Sequence, residues 1–156
     1  MKTENSHYSN WLKTMRYFKV AFAILVSFAP FHSAADTVLN QGEALFVEHC
    51  AKCHGVDAQG NGHSAAGLRT RPPDLTKIAA RRSGVWPMLE VMSILNGYLK
   101  VTNPREDMPI IAQLNDGPTI DFDTGNGLVT SVPANLISIT EYLESIQSPK
   151  PERYVP

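Results

Sequence analysis

A single run, Cys50-Ala51-Lys52-Cys53-His54, limits what this chain can fold into more than any other stretch. Its two cysteines are the only ones in the 156 residues, so each use of a C-x-x-C pair can be weighed on this run alone. A structural zinc site takes four ligands, and no second Cys or His pair stands at ligand spacing. A redox-active pair or a plain disulfide would use both thiols but leave His54 to chance, and no βαβ pattern surrounds them. The reading that uses all three residues is covalent attachment of a c-type haem. Two thiols about one helical turn apart reach two vinyl groups on one porphyrin edge, and the histidine that follows is held against the iron. The run therefore predicts one haem c, bound through Cys50 and Cys53, with His54 as an axial ligand.

The N-terminal residues do not read as part of the fold. Lys13, Arg16 and Lys19 precede an apolar run from Val20 to Ala29, and Pro30, Ser33, Ala34 and Ala35 lead into Asp36. Basic segment, short apolar segment and small residues are the order of a secretory signal, so residues 1–35 are expected to be removed between Ala35 and Asp36. An uncleaved membrane anchor is the alternative, but the apolar run falls well short of the ~20 residues needed to span hydrocarbon. The polar region before Met15 is long for a signal, and Met15-Arg16 offers a compact alternative start. The expected mature domain is 36–156, exported to the periplasm.

With 43% hydrophobic and 19% charged residues, the chain is ordinary globular material for one domain, and a formal net charge of −1 gives no pointer to nucleic acid. Charge is nevertheless uneven. Arg69, Arg71, Lys77, Arg81 and Arg82 crowd one segment, whereas Glu106, Asp107, Asp116, Asp121 and Asp123 crowd another. Such clusters are solvated faces or docking surfaces for protein partners.

Helix signals flank the cysteine motif. Asn40 and Glu43 have the spacing of a capping box, which predicts a helix from about Gln41 into the motif. Gly42 and Phe46 share one face of that helix, and a glycine there permits close approach of another helix. The partner lies at the far end, where Pro133 suits a first helical position. Leu136, Ile139, Tyr142, Leu143 and Ile146 follow at helical spacing until Ser148-Pro149.

On these residues the chain resembles a class I c-type cytochrome over residues from about 40 to 148. Gly42 and Phe46 lie eight and four residues before Cys50, as a glycine and an aromatic do in that family. The resemblance implies that they cross a C-terminal helix at Ile139 and Tyr142. The implied fold is all-α, the class I cytochrome c fold. Resemblance also implies that a loop proline, here Pro72 or Pro73, presents its carbonyl to the outer nitrogen of the haem histidine, with Leu75 near the porphyrin. The same proline run reads otherwise as a rigid extended loop.

The glycines from Gly55 to Gly67 mark a turn-rich loop. Asp57, Gln59, Asn61 and Gly62 are spaced as in a calcium loop, but its twelfth position is Leu68 rather than Glu, which argues against calcium. Asp74 is expected to cap a short helix through Arg82. A second helix is expected from Pro87 to Asn96, striped by Met88, Leu89, Met92 and Leu95 and stopped by Gly97. Arg69, Arg71, Arg81 and Trp86 carry donors suited to haem propionates.

Beyond Asn103, Pro104, Arg105, Glu106 and Asp107 stands Met108-Pro109, 54 residues after His54. A thioether sulfur suits low-spin iron, and Pro109 biases Met108 toward an extended backbone. The resemblance makes Met108 the distal ligand. Met88 and Met92 belong to a helix stripe, and His63 is the main competitor, though its nearness to the attachment run makes it hard to place on the opposite haem face. Between Met108 and the last helix, Thr119 to Asp123 alternates, Gly125-Asn126-Gly127 turns and Leu128 to Thr130 returns, which predicts a small β-hairpin or an exposed loop.

The expected function is electron transfer between redox partner proteins by one haem with His54 and Met108 as axial ligands, and not catalysis. The alternatives are a haem subunit of a periplasmic oxidoreductase complex, and an enzyme or sensor with an open distal site.

Overall fold

The computed structural model describes residues 34–97, 107–123 and 127–155. The basic and apolar parts of the expected signal, and Lys100, Asn103, Pro104, Arg105, Glu106, Gly125 and Asn126, lie outside the described residues. Among the described residues, helices α1 (Ala34–His49), α2 (Ala51–His54), α3 (Met88–Leu95) and α4 (Ala134–Ser145) carry the architecture. Two small two-stranded sheets accompany them, built from β1 (Val85–Pro87), β2 (Thr119–Asp123), β3 (Val129–Pro133) and β4 (Arg153–Val155). The expected hairpin is present: β2 and β3 pair antiparallel from Thr119↔Pro133 to Asp123↔Val129. The parallel pair β1–β4, in which the chain's end returns to Val85, was not expected beside an otherwise helical fold.

The frame is the crossing of α1 and α4. Gly42 is buried there, and a Cβ on it would lie 2.6 Å from Tyr142 Cβ and press on the Ser138 carbonyl, so only glycine lets the backbones meet. One turn further on, Phe46 and Ile139 are fully buried, and Phe46 and Tyr142 rings pack with centroids 5.4 Å apart. Gln41 Nε2 donates to Asn135 Oδ1 (2.7 Å), and Asn135 Nδ2 donates to the Gln113 carbonyl (2.9 Å), which ties the crossing to the segment before the hairpin. Gly42→Val is expected to cost about 1–3 kcal/mol by overpacking, at the upper end because backbone lies in the way. Chemical denaturation of the holoprotein measures it, and an unchanged midpoint would remove Gly42 from the crossing.

Two sequence-based helix boundaries are corrected in this frame. Asn40 is not a cap, because α1 runs straight through it from Ala34; no Gly or Pro interrupts 34–41, so nothing stops the helix from extending backwards. The expected cut after Ala35 therefore falls in the first turn of α1. Pro133 closes β3 and stands at the N-cap of α4, one residue before the helix, with ψ of 130°.

The helix expected from Asp74 to Arg82 is instead two 3₁₀ turns, Leu75–Lys77 and Ala80–Arg82. Asp74 does cap the first, its Oδ1 accepting from Thr76 N at 2.8 Å. The cause of the break is Gln147. In an α-helix Ala79 N–H would donate to the Leu75 carbonyl. Here Ala79 N–H donates to Gln147 Oε1 (3.0 Å) while the Leu75 carbonyl accepts from Gln147 Nε2 (2.8 Å), so a buried side-chain amide is inserted between the two partners. Ser148 N–H adds a bond to the Thr76 carbonyl (2.9 Å). This segment is thereby fastened to the end of α4. The helix expected from Pro87 to Asn96 is present as α3 but begins at Met88, since Pro87 closes β1 and stands at the N-cap, and its buried side is Val91, Met92 and Leu95.

Candidate functional site

The cysteine motif begins where α1 ends. Cys50 separates α1 from α2, so Cys50, Cys53 and His54 are presented on one short helical stretch at the end of a rigid sixteen-residue helix. The chain then folds back on that stretch: Gly60 N–H donates to the His54 carbonyl (2.7 Å), Gly62 N–H to Cys53 (3.1 Å) and Ser64 N–H to Lys52 (2.9 Å). Gly60, at φ 76°, also admits the next loop, since a Cβ there would lie 2.9 Å from the Pro72 carbonyl carbon. Leu75 N–H closes the circuit on the Ala58 carbonyl (2.8 Å). Loop 72–75 is thus held beside His54.

These elements surround a cavity of about 570 Å³. Cys50, Cys53, His54, Met108 and Pro109 all line it. Phe46, Leu75, Ile78, Val91, Leu95, Ile111 and Leu143 supply apolar wall, while Arg69, Arg71, Arg81 and Arg82 bring positive charge. Met88, Met92 and His63 are not among the lining residues. Of the four propionate candidates, Arg69, Arg71 and Arg81 reach the cavity; Trp86 does not line it, yet its fully buried Nε1 has no protein partner. The sequence reading missed Arg82, which lines the cavity and pairs with Glu90 through two bonds, Nε to Oε2 at 3.2 Å and Nη2 to Oε1.

Electrostatics favour neutral ligands over reactive ones. Burial, with Cys53 close by, pushes the Cys50 thiol up to about 11. A redox-active cysteine works by the opposite shift, toward the thiolate, so the thioredoxin-like alternative is not supported. Burial also holds the His54 imidazole below its ordinary value, which favours the neutral form that binds metals, and a backbone hydrogen bond with Pro73 acts weakly against this. Nδ1 of His54 is buried without a partner that meets full hydrogen-bond geometry, so the Pro73 contribution is a loose one.

A family model of cytochrome c matches residues 39–116, half of the chain. The chain belongs to the cytochrome c family. No curated protein and no solved structure matches it. Membership makes it a haem-binding protein of electron transfer, and in a cytochrome c the two cysteines spaced as C-x-x-C are where haem is covalently held. The residues of this cytochrome fit that group. A cavity opens beside both thiols, much of its wall is apolar, arginines suited to carboxylates line the rest, and burial favours the neutral form of the His54 imidazole. The match ends at residue 116, so the hairpin and α4 lie beyond it.

Among the described residues no helix is long and apolar enough to cross a membrane.

Proposed function

We propose that this cytochrome c is a periplasmic electron carrier of the class I type, with one haem held through Cys50 and Cys53 and with His54 and Met108 as the two axial ligands. The observation that carries the reading is that Met108 and His54 line the same cavity, while Met88, Met92 and His63 do not. A haem held there supplies a one-electron ferrous/ferric couple. The protein's own residues do the rest. Cys50 and Cys53 fix the group to a rigid helix end, so it cannot leave between redox cycles. His54, kept neutral by burial, offers a nitrogen, and Met108 offers a soft sulfur that raises the potential relative to a second nitrogen. Phe46, Leu75, Val91, Leu95 and Leu143 keep water from the centre, which lowers the reorganisation that accompanies a change of charge. Arg69, Arg71 and Arg81 are placed to hold carboxylates at the polar edge. Export rests on the order of basic, apolar and small residues in 1–35, and redox proteins of that compartment are the donor and acceptor.

Carbon monoxide distinguishes a closed iron from an open one. Added to the reduced holoprotein at neutral pH, it is expected to leave the spectrum essentially unchanged. Prompt conversion to a carbonyl spectrum would instead assign the protein to the enzymes or gas sensors with a vacant distal position.

A further inference from the structure

The residue before Met108 makes contacts that the function above does not use. Asp107 Oδ2 accepts a hydrogen bond from the backbone N–H of Thr70 (3.2 Å), and Asp107 Oδ1 lies 3.9 Å from Arg69 Nε. Thr70 belongs to the loop that continues through Arg71 to Pro72 and Pro73, which packs on Gly60, the residue whose N–H donates to the His54 carbonyl. Residues 69–73 and 107–109 all line the cavity. One carboxylate therefore fastens the segment carrying Met108 to the segment beside His54, across the rim of the cavity between them.

We propose that Asp107 is a positioning residue, a clasp that holds the Met108 loop closed and sets how readily the sulfur leaves the iron. The proposal rests on Met108 being the distal ligand. Pro109 follows Met108 directly and lacks an N–H, so the backbone on that side has one fewer donor with which to anchor the loop. The side chain on the other side takes over the anchoring. The two contacts of the clasp are unequal. The Thr70 bond joins a charged acceptor to a backbone donor, whereas Arg69 is 73% exposed and its pairing at 3.9 Å is one that water and salt weaken. The backbone bond is thus the one that carries the effect, and the order of variants follows from it.

The test is the rate at which imidazole displaces the sulfur from the ferric holoprotein, followed through loss of the weak far-red band that iron–methionine ligation gives. That rate is governed by how often the Met108 loop opens. Asp107→Ala, which removes both contacts, is expected to raise it about tenfold or more, the worth of a hydrogen bond to a charged group. Asp107→Asn keeps an acceptor oxygen and the side-chain shape, so its rate is expected to lie between those of Asp107→Ala and the wild type. Gly42→Val, which lowers global stability at the helix crossing, is measured alongside: a merely structural role predicts that it speeds displacement as much as Asp107→Ala does, whereas a local clasp predicts that it leaves the rate close to that of the wild type. A wild type without the far-red band overturns the Met108 assignment and the clasp with it. A wild type that has the band, but whose displacement rate is the same in Asp107→Ala and Asp107→Asn, overturns the clasp alone.

Discussion

Cys50→Ala combined with Cys53→Ala is expected to yield a protein without covalent haem and with most of its tertiary structure lost. The reason is the size of what the two thiols hold in place. Core truncations cost about 24 cal/mol for each Å³ left empty, which for the cavity of about 570 Å³ sets an upper bound near 14 kcal/mol. Water entering at the arginine-lined rim and partial collapse reduce that figure. A whole domain is held together by only about 5–15 kcal/mol, so even a third of the bound is decisive. The crossing of α1 and α4 retains its own contacts, and residual helix from that pair is the expected remnant. Acid-acetone extraction and near-ultraviolet circular dichroism make the comparison. Haem that stays with the wild type and is missing from the variant supports thioether attachment, whereas a variant that keeps a native near-ultraviolet spectrum would show that the cavity stands without its occupant.

Met108→Ala is expected to convert a closed iron into one that takes carbon monoxide stoichiometrically, with a lower reduction potential and no far-red band. The prediction is sharp because the replacements at hand are few. Met92 is buried in the core, Met88 packs against that core, and neither lines the cavity. His63 is exposed and does not line it either. Unlike the cysteine pair, this substitution leaves the covalent bonds and His54 intact, so the fold is expected to persist. The variant should lose less than about 3 kcal/mol, the range of a core methionine truncated at a partly exposed site. If the far-red band survives the change, another residue is the ligand. If the variant still refuses carbon monoxide, the closed site does not depend on the sulfur.

What could be read from the chain, and what could not, divides by the range of the interaction that decides each feature. Cys50, Cys53 and His54 stand in one short motif inside the region that the cytochrome c model matches, and the crossing of Gly42 and Phe46 with Ile139 and Tyr142, which the resemblance implied, is as expected. Met108 could be singled out because Pro109 sets it in a loop while helical spacing commits Met88 and Met92 to packing. The helix through Arg82 failed because its broken turn is decided by Gln147, a residue about seventy positions away that carries no local signal for inserting between Leu75 and Ala79. The Asn40 cap failed for a different reason. A capping box marks where a helix is able to begin, and residues 34–39 contain nothing to prevent an earlier start. The β1–β4 pair was invisible because three-residue strands, one of them ending in Pro87, give too little alternation to register, and their pairing depends on where the chain's end happens to return. Asp107 looked like one member of an acidic cluster, and its long-range contacts with Thr70 and Arg69 set it apart from that cluster.

The most direct measurement of the central claim is a spectroelectrochemical titration of the holoprotein, run under inert gas and again under carbon monoxide. A carrier with one haem closed by His54 and Met108 gives a single reversible one-electron transition, in the mid-range that sulfur ligation supports, with the same midpoint under both gases. A very low midpoint would contradict methionine ligation. A midpoint that rises under carbon monoxide would show that the reduced iron is open, and with that the electron-carrier account would fail.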